Sequence, residues 1–285
     1  MKTAIIDIGS NSVRLMLRAD GKTLFKKLAT TRLGEGVVFT HRLSAEAMER
    51  TARAVCGFYE EGKTAGARVC AFATAAVRSA ENGGAFCALV KERCGLEIDV
   101  VSGAEEALLA INGALGDGDG GVLDVGGASS EVCFRLGGKI VFSVSLNVGA
   151  VRLYDLCGDK REKLAPVVRE AISPLCGQTF RGRFCAVGGT ATTLAALKLG
   201  LKEYDGGKVQ DLCLTRGEVN SLSEKLLSLT AEERRRLAGM DERRADIIAG
   251  GAYLIAQIMR TLGLSELYVS DRDNLEGYLT LRGLE

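Results

Sequence analysis

Asp7-Ile8-Gly9-Ser10-Asn11-Ser12 returns 117 residues later as Asp124-Val125-Gly126-Gly127-Ala128-Ser129, so the chain carries the turn D-[IV]-G-x-x-S twice. Each copy follows a short apolar run, Ala4-Ile5-Ile6 or Val122-Leu123, and precedes an alternating one, residues 13–18 or 132–135. That pattern spells strand, polar turn, strand. In such a hairpin the aspartate ends the first strand, where it can orient a divalent cation or a water. The glycine and serine offer N–H and hydroxyl donors to a phosphoryl oxygen. A single copy is explained by turn chemistry, because Asp, Gly, Asn and Ser dominate turns for conformational reasons alone. Two copies point instead to two phosphate clamps facing each other.

The 285 residues are enough for two domains, and 47% hydrophobic content is what two buried cores require. A net charge of +1 leaves no global field for nucleic acid or an anionic membrane, so any polyanion must be held locally. No apolar run is long enough to span a bilayer and no signal core opens the chain, which together predict a cytoplasmic protein. Nine cysteines are scattered without a C-x-x-C pair and read as small hydrophobes. The single histidine, His41, excludes a multi-histidine metal centre and leaves hydrolysis to carboxylates.

The pattern predicts strands over 3–8, 13–18 and 23–30, a helix over 44–61, a strand over 69–73, a helix over 82–94 and a strand over 97–101. Strands first, then alternation with helices, indicate an α/β fold. The run Gly116-Asp117-Gly118-Asp119-Gly120-Gly121 has the composition of a connector, which places a boundary between domains 1–117 and 118–285, with the last helix free to pack back on the first domain. The second half repeats the hairpin over 122–135 and 139–145, and a strand over 184–187 leads into Gly188-Gly189-Thr190, where Thr190 can cap a helix whose N-terminus attracts anions. Capping boxes start helices at Thr215 and Thr230, Arg234-Arg235-Arg236 is expected on a solvated helix face, and one long helix is expected over 244–262.

Two opposed clamps leave a cleft between domains. A phosphate bridging it meets Asp7, Ser10, Asn11 and Ser12 on one side and Asp124, Gly126, Gly127 and Ser129 on the other, with Gly188, Gly189 and Thr190 as a third element. Two carboxylates suit one Mg²⁺, which keeps several waters and takes few protein ligands. Ser102-Gly103-Ala104-Glu105 is a capping box that occupies Glu105 with the backbone, so Glu106, about 100° further round the helix, is free to reach the cleft. A carboxylate there can accept a proton from an attacking water. Arg32 and Arg78 are expected in loops after apolar strands and are candidate phosphate forks.

With these motifs in hand, the chain resembles the exopolyphosphatase and guanosine pentaphosphate phosphatase family, within the actin, sugar-kinase and heat-shock-ATPase superfold. The resemblance runs in the family's order through 4–17, 32–37, 73–83, 102–107, 122–131, 146–153, 187–194 and 244–250. It implies two ribonuclease-H-like domains, a Mg²⁺-dependent hydrolase of phosphoanhydrides, Glu106 as base, and Asp7 and Asp124 as the phosphate- and metal-loop aspartates. It further implies a short form, without the C-terminal helical domain of longer members. Three departures stand out. The third glycine of D-x-G-G-G-S is Ala128, the proline of L-P-L-G is Asn147, and S-D-R-G-[LV]-[RK]-[DE]-G appears as Ser270-Asp271-Arg272-Asp273-Asn274-Leu275-Glu276-Gly277. Ala128 is expected to disturb any φ > 0 conformation there.

The functional expectation is therefore removal of terminal phosphate from inorganic polyphosphate or guanosine pentaphosphate by water, with no nucleic-acid or membrane partner and a homodimer left open. A kinase of the same superfold and a non-catalytic sensor of polyphosphate or alarmone nucleotides are the alternatives. The first needs an acceptor site, and the second needs the donors but not the base.

Overall fold

The computed structural model describes residues 2–158 and 160–284; Met1, Asp159 and Glu285 lie outside the described residues. Alternation in the first hairpin builds a five-stranded sheet. Its strands are β1 (Lys2–Ile8), β2 (Ser12–Ala19), β3 (Lys22–Thr30), β4 (Arg68–Ala73) and β5 (Ile98–Val100), in the order β3-β2-β1-β4-β5. The first three are antiparallel neighbours, while β4 and β5 continue parallel to β1. The second hairpin starts the same path again with β6 (Gly120–Val125), β7 (Ser130–Leu136), β8 (Lys139–Leu146), β9 (Phe184–Val187), β10 (Cys213–Thr215) and β11 (Glu266–Val269). Its order from the far edge is β8-β7-β6-β9-β11, with β10 added antiparallel outside β11. The repeated turn therefore marks a repeated topology, and the fold is the two-sheet α/β architecture.

The helices are α1 (Val37–Thr40), α2 (Ala45–Thr64), α3 (Ala75–Ser79), α4 (Gly83–Cys94), α5 (Gly103–Leu115), α6 (Ala150–Cys157), α7 (Arg161–Ala171), α8 (Gly188–Leu199), α9 (Gly206–Val209), α10 (Arg216–Ser228), α11 (Ala231–Arg235), α12 (Ile248–Thr261) and α13 (Asn274–Leu281). None is long and apolar enough to cross a membrane. Period-two alternation sorts the strand side chains. Ala4, Ile6 and Ile8 of β1 face outward into a core with Ala52 and Val55 of α2 and Phe86 of α4, whereas Ile5 faces inward with Phe72, Leu275 and Tyr278. In β6, Leu123 and Val125 join the outer core of α7, α8, α10 and α12, and Val122 faces inward onto Ala107, Ala110 and Ile111 of α5.

The layer between the sheets is thus the pair α5 and α13. Tyr278 of α13 stacks on Phe72 of β4 with ring centroids 4.6 Å apart. The two helices approach backbone to backbone and run antiparallel: a Cβ at Gly113 would overlap the Asp273 carbonyl, and one at Gly277 the Leu109 carbonyl. Close approach lets each helix bury its whole facing surface.

Several local expectations change. The helix expected over 244–262 begins at Ile248, preceded by a short 3-10 turn Glu242–Arg244, because Asp246 turns aside to pair with Arg32 at 2.6 Å. Arg234 is fully buried rather than solvated, donating to the carbonyls of Leu226, Leu229 and Ala245. Thr190 does not cap α8, which starts at Gly188. Its hydroxyl donates to the Val125 carbonyl at 3.2 Å and so ties the helix to β6. Ala128 has no positive φ, so the missing glycine causes no strain.

Gly113→Ala and Gly277→Ala should each destabilise the protein by about 1–3 kcal/mol or more through overpacking. Gly84→Ala, on the open face of α4, should stabilise it by roughly 0.5–1 kcal/mol. Denaturant midpoints of the three variants check the contrast.

Candidate active site

Asp7 is the penultimate residue of β1 and Asp124 that of β6. Period two puts Asp7 on the face of Ile5 and Asp124 on the face of Val122, so both carboxylates enter the layer between the sheets. The turns that follow close alike, with Gly9 N–H donating to Ser12 O at 3.0 Å and Gly126 N–H to Ser129 O at 3.1 Å. They also touch: a Cβ on Gly127 would lie 2.9 Å from Ser10 Cβ and 3.3 Å from Asn11 N. Their carbonyls are taken from behind, those of Ser10 and Asn11 by Thr31, Arg32 and Gly34, and those of Gly126 and Gly127 by the first residues of α6. Among the described residues, the N–H groups of Ser10, Asn11, Gly127 and Ala128 find no acceptor in the protein. Free donors from the two touching turns therefore line one cavity. The uncapped N-terminus of α8 adds its first N–H groups.

These elements enclose a cavity of about 80 Å³. Asp7, Ser10, Asn11, Ser12 and Glu106 line it from one side, and Asp124, Gly126, Gly127, Ser129, Gly188, Gly189 and Thr190 from the other. A larger cavity of about 620 Å³ opens beside it and shares Arg14, Gly188, Gly189 and Arg244 as walls. Arg32 and Arg78 line neither. Arg32 bridges to Asp246 and to the Arg243 carbonyl, and Arg78, inside α3 rather than in a loop, donates to Glu106 Oε2 at 2.9 Å.

The capping box forms as the sequence requires, Glu105 accepting from Ser102 N–H at 3.0 Å, and this leaves Glu106 to turn inward and become buried. Burial pushes the Glu106 carboxyl up to about 7; Arg78 opposes the shift, and Asp124 and Asp7 add to it. Burial likewise raises Asp124 to about 6, helped by Asp273. Asp7 is raised by burial in spite of Arg14. A buried carboxyl poised near neutrality is a proton acceptor at physiological pH.

Four polar residues outside the expected set complete the cluster. Cross-strand register puts Arg14 opposite Asp7 and Glu131 opposite Asp124. The sequence did carry this signal, because each lies seven residues after its aspartate. Arg14 holds Asp7 and reaches Asp273 with its other nitrogen. Glu131 is buried, raised well above the carboxylate range by burial and by Glu106, and takes the Ser145 hydroxyl at 2.7 Å. Asn274 Nδ2 donates to Asp124 Oδ2 at 3.1 Å. Arg244, half-buried, lies with its guanidinium against Gly189.

Residues 16–281 match the model of the Ppx/GppA phosphatase family. The chain belongs to that family. It is 32% identical to exopolyphosphatase 2 of Mycobacterium tuberculosis over 321 residues, covering 99% of both chains. Among solved structures, it superposes on an exopolyphosphatase-like protein with a TM-score of 0.91 at 27% identity, covering 100% of this chain and 99% of that one. It superposes on the Aquifex aeolicus Ppx/GppA enzyme with a TM-score of 0.80 at 30% identity, covering 99% of each. Family membership makes the chain a hydrolase acting on phosphoanhydrides.

Because Arg78 is, among the described residues, the one cation bonded to Glu106, Arg78→Met should move the Glu106 titration midpoint upward from about 7. Carboxyl-carbon NMR of glutamate-labelled protein, assigned with Glu106→Gln, reads the shift directly.

Proposed function

We propose that the protein removes terminal phosphate from inorganic polyphosphate by hydrolysis, with Glu106 as the base. The observation that carries this reading is a single cavity in which a buried carboxyl with a pKa of about 7 meets unpaired N–H groups from two facing turns. The exopolyphosphatase name of the Mycobacterium tuberculosis relative supports the substrate class.

The terminal phosphoryl oxygens accept from the N–H groups of Ser10, Asn11, Gly127 and Ala128, from the hydroxyls of Ser12 and Ser129, and from the start of α8. Glu106 orients a water in line with the anhydride bond. As the water oxygen bonds to phosphorus, the bridging P–O bond breaks, Glu106 takes the proton and the shortened chain leaves as an anion. Donors fixed before the reaction cost no reorganisation as charge develops.

The residues also fit a divalent cation, for which Mg²⁺ is the proposal. Asp7 Oδ1 is buried in the cleft without a partner, and the donors around it are hard oxygens. Among the described residues no group of three or more His, Cys, Asp or Glu gathers closely enough to hold a metal by itself, so Asp7 and Asp124 would hold Mg²⁺ together with waters. When bound it would neutralise phosphate charge.

A second reading, guanosine pentaphosphate as substrate, draws on the larger cavity. Lys26, Lys27, Lys202 and Arg243 suit a phosphate tail, but Leu201, Tyr204 and Met240 offer apolar walls that inorganic phosphate does not use. Phosphate release from a panel of both substrates separates the two readings.

Glu106→Gln should lower turnover by about 10²- to 10⁴-fold while substrate binding stays nearly intact, and Glu105→Gln should be mild. In the wild type a raised carboxyl is protonated below its pKa, so kcat/KM should fall about tenfold per unit below pH 7 and level off above it. An activity flat from pH 5 to 8 would remove Glu106 as the base.

Chelator should silence the wild type, and Asp7→Asn and Asp124→Asn should each raise the Mg²⁺ concentration needed for half-maximal activity. Full phosphate release in chelator would sink the cation's part in the mechanism.

A further inference from the structure

The turn into α13 departs from the related pattern at residues 273, 274 and 275, and two of the three departures put polar side chains inside the protein. Asp273 is 5% exposed and Asn274 4%. A buried amide is costly unless its groups are paired. Asn274 is paired at one end only. Its Nδ2 donates to Asp124 Oδ2, and because a carboxylate accepts, that end is the nitrogen. Its Oδ1 is buried with no partner, and so is Asp7 Oδ1. Both residues line the small cavity, Asp7 from β1 and Asn274 from the first turn of α13. Arg14, a cation in the wall of the same cavity, is already committed to Asp7 Oδ2 and to Asp273. Two acceptors facing one polar cavity are left without a bonded donor, and the waters around a divalent cation are donors of the right kind.

We propose that Asn274 is a positioning residue for the divalent cation: its amide nitrogen fixes the Asp124 carboxylate, and its carbonyl oxygen accepts from a water of the cation's hydration shell. The backbone contact between α5 and α13 makes this placement rigid, since Gly113 packs directly on the Asp273 carbonyl that precedes Asn274. Partners of this kind orient metal-binding carboxylates, and their loss typically weakens metal affinity about 10- to 100-fold. The family pattern has leucine or valine at this position, so Asn274→Leu restores the common side-chain type while removing both interactions.

This rests on the cation-assisted reading of the site, and its test is cation binding without substrate. Mn²⁺ is titrated into the full chain and free Mn²⁺ is read by electron paramagnetic resonance, for the wild type, Asn274→Leu and Asn274→Ser. Both variants should bind Mn²⁺ about 10- to 100-fold more weakly. In chelator, Asn274→Leu should melt close to the wild type, because it removes one unpaired buried acceptor while leaving another, Asp124 Oδ2, without its donor. Added Mn²⁺ should raise the wild-type midpoint more than the variant's. If the leucine variant does not fold, the serine variant decides alone. Wild-type affinity in the variants, or a wild type that binds no Mn²⁺, overturns the proposal even if phosphate is released. Asn274-dependent Mn²⁺ binding supports it even if no substrate is hydrolysed, an outcome that would count against the hydrolase reading alone.

Discussion

Asp7, Glu106, Asp124 and Glu131 are all buried around one cleft, and the rest of the structure answers that concentration of acid. Taking a carboxylate out of water costs several kcal/mol unless it is paired or protonated. Both remedies are present. Arg14 holds Asp7 and Arg78 holds Glu106, and burial raises all four groups above their ordinary range. Asp273 is the exception. Burial would raise it too, but Arg14 and Lys26 outweigh burial and keep it below the usual range. The cleft therefore holds a carboxyl raised to about 7, buried aspartate oxygens and free N–H donors in one small volume.

Such a site needs a frame that does not relax when charges change. The frame is the α5 and α13 pair, locked by backbone contact at Gly113 and Gly277 and held between two sheets of the same topology. α5 delivers Glu106 from its first turn, and α13 delivers Asn274 from its own. Further ties cross the cleft: Arg32 to Asp246, Gly36 N–H to Asp155 at 2.9 Å, and Arg14 to Asp273. They hold the two turns in contact, which accounts for the small volume between them. The larger cavity opens beside them, with Arg14 and Asp273 in its wall.

Much of this was legible in the chain because the controlling rules are local. The duplicated turn gave both hairpins and, through them, the repeated sheet. The capping box at Ser102 separated Glu105 from Glu106 by helix geometry alone, and the capping boxes at Thr215 and Thr230 formed as expected. Arg14 and Glu131 were within reach of the same reasoning, since both lie seven residues beyond their aspartates across a tight turn. Where long-range partners took over, local rules failed. Arg234 looks solvated in a basic run, yet it is buried because three carbonyls converge on it, and Thr190 bonds to β6 instead of capping its helix.

The sequence by itself determined the secondary structure around the site, the duplication, and the inward turn of Asp7, Asp124 and Glu106, because periods of 2 and 3.6 fix which face a side chain takes. The tertiary structure decided what those faces meet. Arg78 holds Glu106 instead of lining the cavity, Arg32 ties its loop to Asp246, and Asn274 reaches Asp124 across 150 residues. No periodicity carries that information. Such contacts depend on how closely two helices and two sheets pack, which Gly113 and Gly277 set through the absence of a Cβ.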